Sequence, residues 1–310
     1  MIQITLEEHD SFPPKEKTTD PETIKKIKNL KDISLDEQDQ KLQNILKDVL
    51  SISIDPVNNT LQFKANSRIG FAQFSKFAVE ITPKFSGIKK LMELMNYVYN
   101  LDLKIFEESE TMFVGEQNCV SEIIISSFVK KCHHLFRQGL VKSYDLREDN
   151  LPVLRGKLSL SRQILNQANT KLQFACEYDE FEHNNLENQI ILFCLKQSYY
   201  VTKNEERKNE IRQLLQIISN LVIFREIRDD DFDKISYNQM NTHYKKIHEL
   251  CKLIVHNTQI TDFNNQRLRY INSFFVDMNT VFQKFIFKLF DDFYPHTVKE
   301  EVEYGSWETE

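Results

Sequence analysis

Residues 67–103, SRIGFAQFSKFAVEITPKFSGIKKLMELMNYVYNLDL, change their hydrophobic period part-way. In FAVEIT (77–82) apolar and polar residues alternate, the pattern of a half-buried strand. Pro83 ends that strand, because it has no N–H to give to a ladder. From Ser86 the period lengthens, and Ile88, Leu91, Leu94, Met95 and Val98 fall on one helical face. A β-rich front therefore gives way here to a helical part.

The same division holds outward from this point. Upstream, SISI (51–54) and TLQFK (60–64) are short strands separated by the turn-forming DPVNNT, and MIQITLEEH opens the chain as another. Pro13, Pro14 and Pro21 make residues 10–22 a loop. Leu42, Ile45, Leu46 and Val49 mark one helix within the front. Downstream, a helix is expected from about 119 to 144. Pro152 then turns the chain into a strand through Leu158–Leu160, with Asn166, Asn169 and Thr170 in a polar loop. Further helices fit 185–201, 204–224, 239–256 and 277–293, and REIRDDDFDKISY (225–237) reads as an acidic loop. The expected class is α+β. It comprises a small β-rich domain over 1–105, a mainly helical domain over 106–272, and a third region over 273–310.

Composition narrows the chemistry. The net charge of −6 is that of no uniformly basic nucleic-acid clamp, although local basic stripes remain open. Six glycines form no G-x-x-x-x-G-K-[ST], so no P-loop nucleotide hydrolysis is expected. Cys119, Cys132, Cys176, Cys194 and Cys251 are odd in number and widely spaced, as expected of reduced thiols in a cytoplasmic protein. The N-terminus lacks the basic and apolar regions of a signal peptide, and no apolar run is long enough to span a membrane.

Metal ligands are sparse. Cys132, His133 and His134 diverge around a helix, and a zinc site from His248 and Cys251 is outweighed by core thiols and surface histidines. The triplets Asp39-Gln40-Lys41, Asp102-Leu103-Lys104 and Glu206-Arg207-Lys208 match the end of a PD-(D/E)xK nuclease motif, but none follows an apolar strand. No metal site is expected.

Three blocks, taken in order, resemble the McrC family, the nuclease-bearing subunit of the McrBC 5-methylcytosine restriction system. The first is FAVEITPKFSGIKKLMELMNYVYNLDL (77–103). The second runs from GLVKSYDLREDNLPVLRGKL (139–158) to FACEYDEFEHNNLENQIILFCLK (174–196), with its Leu-Arg-Gly-Lys-Leu element and its Tyr-Asp-Glu-Phe turn. The third is FFVDMNTVFQKFIFKLF (274–290), similar to the helix that opens the family's nuclease domain. Residues 60–295 are covered for the most part, and 1–50 are not.

The resemblance implies a subunit of a DNA-defence complex. It would bind a McrB-like AAA+ GTPase hexamer, stimulate its hydrolysis, and couple it to cleavage of methylated DNA with Mg²⁺ in the complete nuclease. On this reading the β-rich front binds the ring, with Lys76, Lys84, Lys89 and Lys90 as a basic probe, and 273–310 begins the nuclease domain. The sequence runs only to VEYGSWETE (302–310), and Gln283 stands where many relatives carry Glu. The expectation is therefore a chain truncated before the catalytic strands, with no catalytic residue and no cofactor of its own. A self-contained metal-dependent endonuclease and an inactive remnant are the alternatives.

Candidate partner- or DNA-binding residues are Arg155, Lys157, Lys84 and Arg162. Strand alternation places Arg155 and Lys157 on one face, opposite Leu154, Gly156 and Leu158, with the apolar face expected in the core. Unpaired burial of the two cations would be costly, so solvent, an acidic neighbour such as Asp179 or Glu180, or a partner must receive them. Asp179, Glu180 and Asn185 precede a helix, where turn and cap roles are expected.

Overall fold

The computed structural model describes residues 2–13, 25, 28, 30, 33, 35–55, 59–84, 88–101, 120–169, 172–257 and 273–294. It is an α+β chain that divides into two compact units, one of residues 1–127, 200–205 and 253–310, the other of 128–199 and 206–252.

The first unit holds two small sheets. Its strands are β1 (Ile2–Glu7), β2 (Ser11–Phe12), β3 (Leu50–Asp55), β4 (Thr60–Ala65), β5 (Arg68–Gln73) and β6 (Phe77–Thr82). Between β2 and β3 lies helix α1 (Glu37–Ile45), capped by Asp36, whose carboxylate accepts from the Asp39 N–H at 2.7 Å. Helix α2 (Ile88–Tyr99) follows β6, where the period was seen to change. Strands β2, β4 and β3 form one antiparallel sheet. Alternation along the strands buries Ile4 and Leu6 of β1 and Phe77, Val79 and Ile81 of β6 in a shared core. There Phe77 stacks on Phe74 and meets Phe63 edge-on.

The other sheet of this unit has the order β1-β6-β5-β10, with β1 parallel to β6 and the remaining pairs antiparallel. Its last strand, β10 (Ser273–Asp277), comes from the far end of the chain. Gly70 lets it approach: its φ is +146°, and a Cβ there would stand 1.9 Å from the Phe274 carbonyl oxygen. Phe274–Asp277 were read as the start of a helix-opening block. They are strand, and the helix begins only at Met278, capped by Asp277. The following helix, Met278–Phe293, packs on α2, with Phe285 against Tyr97 and Asp292 accepting from the Tyr97 hydroxyl. The stretch expected to open a nuclease domain thus begins inside the β-rich unit's sheet.

The second unit is built on helices and a three-stranded sheet. Helix α3 (Val120–Gln138) runs into it and stops at Gly139, whose N–H bonds the Leu135 carbonyl and whose φ is +94°. The helix expected to reach residue 144 is therefore shorter, and residues 143–151 form strand β7. After the two-residue β8 (Lys157–Leu158), helix α4 (Leu160–Ala168) occupies what was read as a polar loop around Asn166. Then come β9 (Phe174–Glu182), α5 (Leu186–Val201), α6 (Glu205–Ile218) and α7 (Lys245–Asn257). The expected acidic loop contains a 3-10 turn over Asp229–Lys234.

The helical core of this unit buries Cys132, Cys194 and Cys251, one from each of α3, α5 and α7. Burial pushes the Cys132 and Cys251 thiols well up, so they are inert neutral groups. Cys119 lies outside the described residues. Among those residues no helix is long and apolar enough to cross a membrane.

Candidate functional site

Most of the candidate residues converge on the sheet of order β7-β9-β8. Strand β9 is central, pairing antiparallel with β7 over 143–151 and with β8 at Lys157 and Leu158. Its residues alternate faces, so Cys176, Tyr178 and Glu180 look one way and Glu177 and Asp179 the other.

Arg155 belongs to the first face. Its guanidinium lies 4.0 Å from the Tyr178 ring centroid and 3.4 Å from Glu180, and its backbone N–H meets the Cys176 sulfur at 3.3 Å. Lys157 stands opposite Glu177 on the second face. The expectation that the two cations share a face is corrected. Gly156 between them adopts φ +67°, which breaks strand alternation, and any Cβ there would come 2.5 Å from the Glu177 carbonyl oxygen. Leu154, expected in the core, lies before β8 and is 51% exposed.

Several other charges on or beside this sheet are paired. Glu180 also receives Arg147 at 3.2 Å, and Arg147 reaches Glu182 at 2.6 Å. Those carboxylates raise the Arg147 pKa, the hydrogen bond to Glu182 first. Arg162, on α4, holds the Glu148 carboxylate at 3.2 Å and its carbonyl at 3.3 Å. Asp179 is exposed beside Leu146.

Asn185 caps α5. Its side-chain oxygen accepts from the Asn188 N–H at 3.1 Å, and its amide donates to the Val141 carbonyl. Lys84 belongs to the first unit, just after β6, where it and His9 offset the burial that raises the Glu8 pKa.

The sequence reading missed two features of this surface. Helix α4 turns a polar residue inward and apolar ones outward: Asn166 is buried on Asn150, while Leu160 and Ile164, one turn apart, are 70% and 65% exposed. Neither the helix, expected as a polar loop, nor the face it would cover was legible in the sequence. The second is a buried network, in which the Tyr244 hydroxyl donates to the Asn188 side chain at 2.8 Å and accepts from the Val141 N–H at 2.9 Å. No local pattern signals it.

The described residues do not fit a divalent metal. No three His, Cys, Asp or Glu side chains among them gather as a ligand set. Asp39 of the first triplet accepts from the Ser75 N–H and hydroxyl, and its Lys41 pairs with Glu37. Glu206-Arg207-Lys208 lies within helix α6, and Asp102-Leu103-Lys104 falls outside the described residues.

A family model described as McrBC 5-methylcytosine restriction system component matches residues 63–306. The chain belongs to this McrBC family. The match takes in residues of both compact units of the McrBC-family chain. No curated protein matches it. Among solved structures, a chain in the cryo-EM structure of the Thermococcus gammatolerans McrBC complex is similar at 21% identity and TM-score 0.57, over 93% of this chain and 86% of that one. A chain in the refined half-complex from the tetradecameric assembly of Thermococcus gammatolerans McrB AAA+ hexamers with bound McrC is similar at 22% identity and TM-score 0.53, over 94% and 71%. At these identities the likeness is one of fold.

Proposed function

We propose that this McrBC-family chain is the McrC-like subunit, which binds and stimulates a McrB-like AAA+ GTPase and couples it to cleavage of foreign, methylated DNA. The observation that carries the reading is the family match over 63–306 in a chain without a phosphate-binding loop. An AAA+ member of such a system needs that loop to hold nucleotide. The sole Gly-Lys pair here, Gly156-Lys157, is followed by Leu158 and sits in a strand turn against β9. The chain is thereby assigned the partner's role.

Within this reading the β7-β9-β8 sheet, with α4, is the surface offered to a protein partner. Two features support it. Leu160, Ile164 and Leu165 of α4 and Val153 before β8 are all more than half exposed, an apolar area that a partner would cover. Arg155 and Arg162 are already engaged by Glu180 and Glu148, and DNA phosphate would have to compete with those carboxylates. Lys157 and Lys84 are the exposed cations that enter the proposal as direct contacts. Mg²⁺ belongs to the nuclease function of the complete system, and no described residue of this chain is assigned to hold it.

The test is to mix the chain with its cognate AAA+ protein and GTP. Co-elution on gel filtration and a rise in GTP turnover are expected. Absence of both would refute the assignment.

A further inference from the structure

The second unit contains a cleft of about 340 Å³ lined by Arg147, Glu182, Asn184, Lys196 and the segment Ser219–Phe224. Its charges do not balance. Arg147 is spent on Glu180 and Glu182, and Arg155 also reaches Glu180, so these two guanidiniums and two carboxylates cancel. Lys196 is left over. Its ammonium lies 3.7 Å from the Phe224 ring centroid, and among the described residues no carboxylate pairs with it.

Two more donors on the lining are unspent. The Asn184 side-chain oxygen accepts from the Ile223 N–H at 2.9 Å and from Gln189 at 3.0 Å, which fixes the amide's orientation. Its NH₂ then has no acceptor among the described residues, and neither has the Ser219 hydroxyl. For stability alone a half-buried ammonium with only a ring beneath it is a poor choice. Desolvation opposes the charge, and a methionine would pack as well without it. Burial does hold the Lys196 pKa below its usual value.

We propose that this cleft is a binding site for a small oxyanion, a carboxylate or a phosphate, seated on the Lys196 ammonium with the Asn184 amide as second donor. A volume of this size admits a small metabolite. The Glu182 carboxylate oxygen not used by Arg147, together with the Asn220 side-chain oxygen, gives such a ligand's hydroxyl or amine groups acceptors at the rim. The site is independent of any AAA+ partner and of the function proposed above.

The experiment uses the full chain alone. Its thermal unfolding is titrated with sodium pyrophosphate and, separately, sodium citrate, each against sodium chloride at matched ionic strength, with calorimetry to give the dissociation constant. A saturable rise in midpoint beyond chloride is expected with at least one of the two, and which one separates phosphate from carboxylate ligands. Lys196→Met should weaken that binding roughly tenfold or more, while Lys196→Arg retains it. Without anion, Lys196→Met should unfold no earlier than the wild type. Should it unfold early, Asn184→Ala replaces it as the weakened variant. No saturable effect, or equal binding by the variants, overturns the proposal. So does a Lys196→Met variant that binds neither anion differently but loses affinity for the AAA+ ring, since the cleft would then receive a partner's carboxylate.

Discussion

Arg155 covers the ring of Tyr178, and the Tyr178 hydroxyl in turn donates to Asp149 at 2.9 Å. That hydrogen bond is the main reason the Tyr178 pKa is raised. A chain of contacts thus runs from Arg155, just before β8, through β9 to β7, with Glu180 joining Arg155 to Arg147. Arg155 therefore serves the fold, whatever it offers a partner.

Arg155→Ala should lower stability by about 1 kcal/mol, the sum of an exposed cation–π contact and a surface ion pair. Lys157→Ala, on the opposite face, should leave the unfolding midpoint unchanged. If the sheet meets an AAA+ ring, both substitutions should weaken that binding. Paired thermal unfolding and affinity measurements separate the two effects. Unchanged affinity for Lys157→Ala would remove this lysine from the interface.

Tyr244→Phe tests the buried network. Tyr244 and Asn188 are fully buried, and deleting the hydroxyl leaves the Val141 N–H and the Asn188 side-chain oxygen without their partner. Two such groups should cost roughly 2–4 kcal/mol. Urea denaturation of the variant gives the figure, and a loss below about 1 kcal/mol would mean that water or a shifted side chain replaces the hydroxyl.

Acid should destabilise the second unit through His248. The imidazole is fully buried, with one nitrogen 3.2 Å from the Glu187 carbonyl and the other 2.9 Å from the Tyr237 hydroxyl. The carbonyl can only accept, so the ring donates there and takes the tyrosine proton at its other nitrogen. Burial, aided by Lys252, pushes its pKa down to about 4. In the unfolded chain the group titrates near its ordinary value of 6.5. Below that value the unfolded state binds a proton that the folded state refuses. Stability should then fall from about pH 6.5 to about pH 4, by roughly 3 kcal/mol in all. Denaturation at pH 7 and pH 5 should show the loss, and His248→Gln should flatten it.

Gly70→Ala should break the β5–β10 junction. The added carbon would need the space of the Phe274 carbonyl, which is backbone and cannot turn away. We expect a cost of at least about 3 kcal/mol, with faster amide exchange along Ser273–Asp277 before the rest of the sheet.

Much of the fold was legible because its elements carry their own period. Strands β3 to β6 and helices α2 and α5 show apolar residues at strand or helix spacing, and each occupies nearly the expected span, while α6 ends at Ile218 and not at 224. Strand β7 was not legible. Its SYDLREDNL has no buried position, so no apolar alternation announces it, and only pairing with β9 makes it a strand. Helix α4 was hidden for the opposite reason, since the asparagine that suggested a loop is its buried contact.

The candidate surface was half legible. The charged residues of 155–180 stand out in the chain, but their pairing depends on register, and one glycine at positive φ sends Arg155 and Lys157 to different faces.

By itself the amino-acid order determined the α+β class, the missing phosphate-binding loop and the likeness to McrC, because period and motif are local properties. Tertiary structure alone decided that Ser273–Asp277 close the N-terminal sheet some two hundred residues from β5, that Lys196 meets a ring and no carboxylate among the described residues, and that α4 turns its leucines outward. Each of these depends on which surfaces meet across long sequence separations, and burial and charge pairing are settled by those meetings, not by neighbours in the chain.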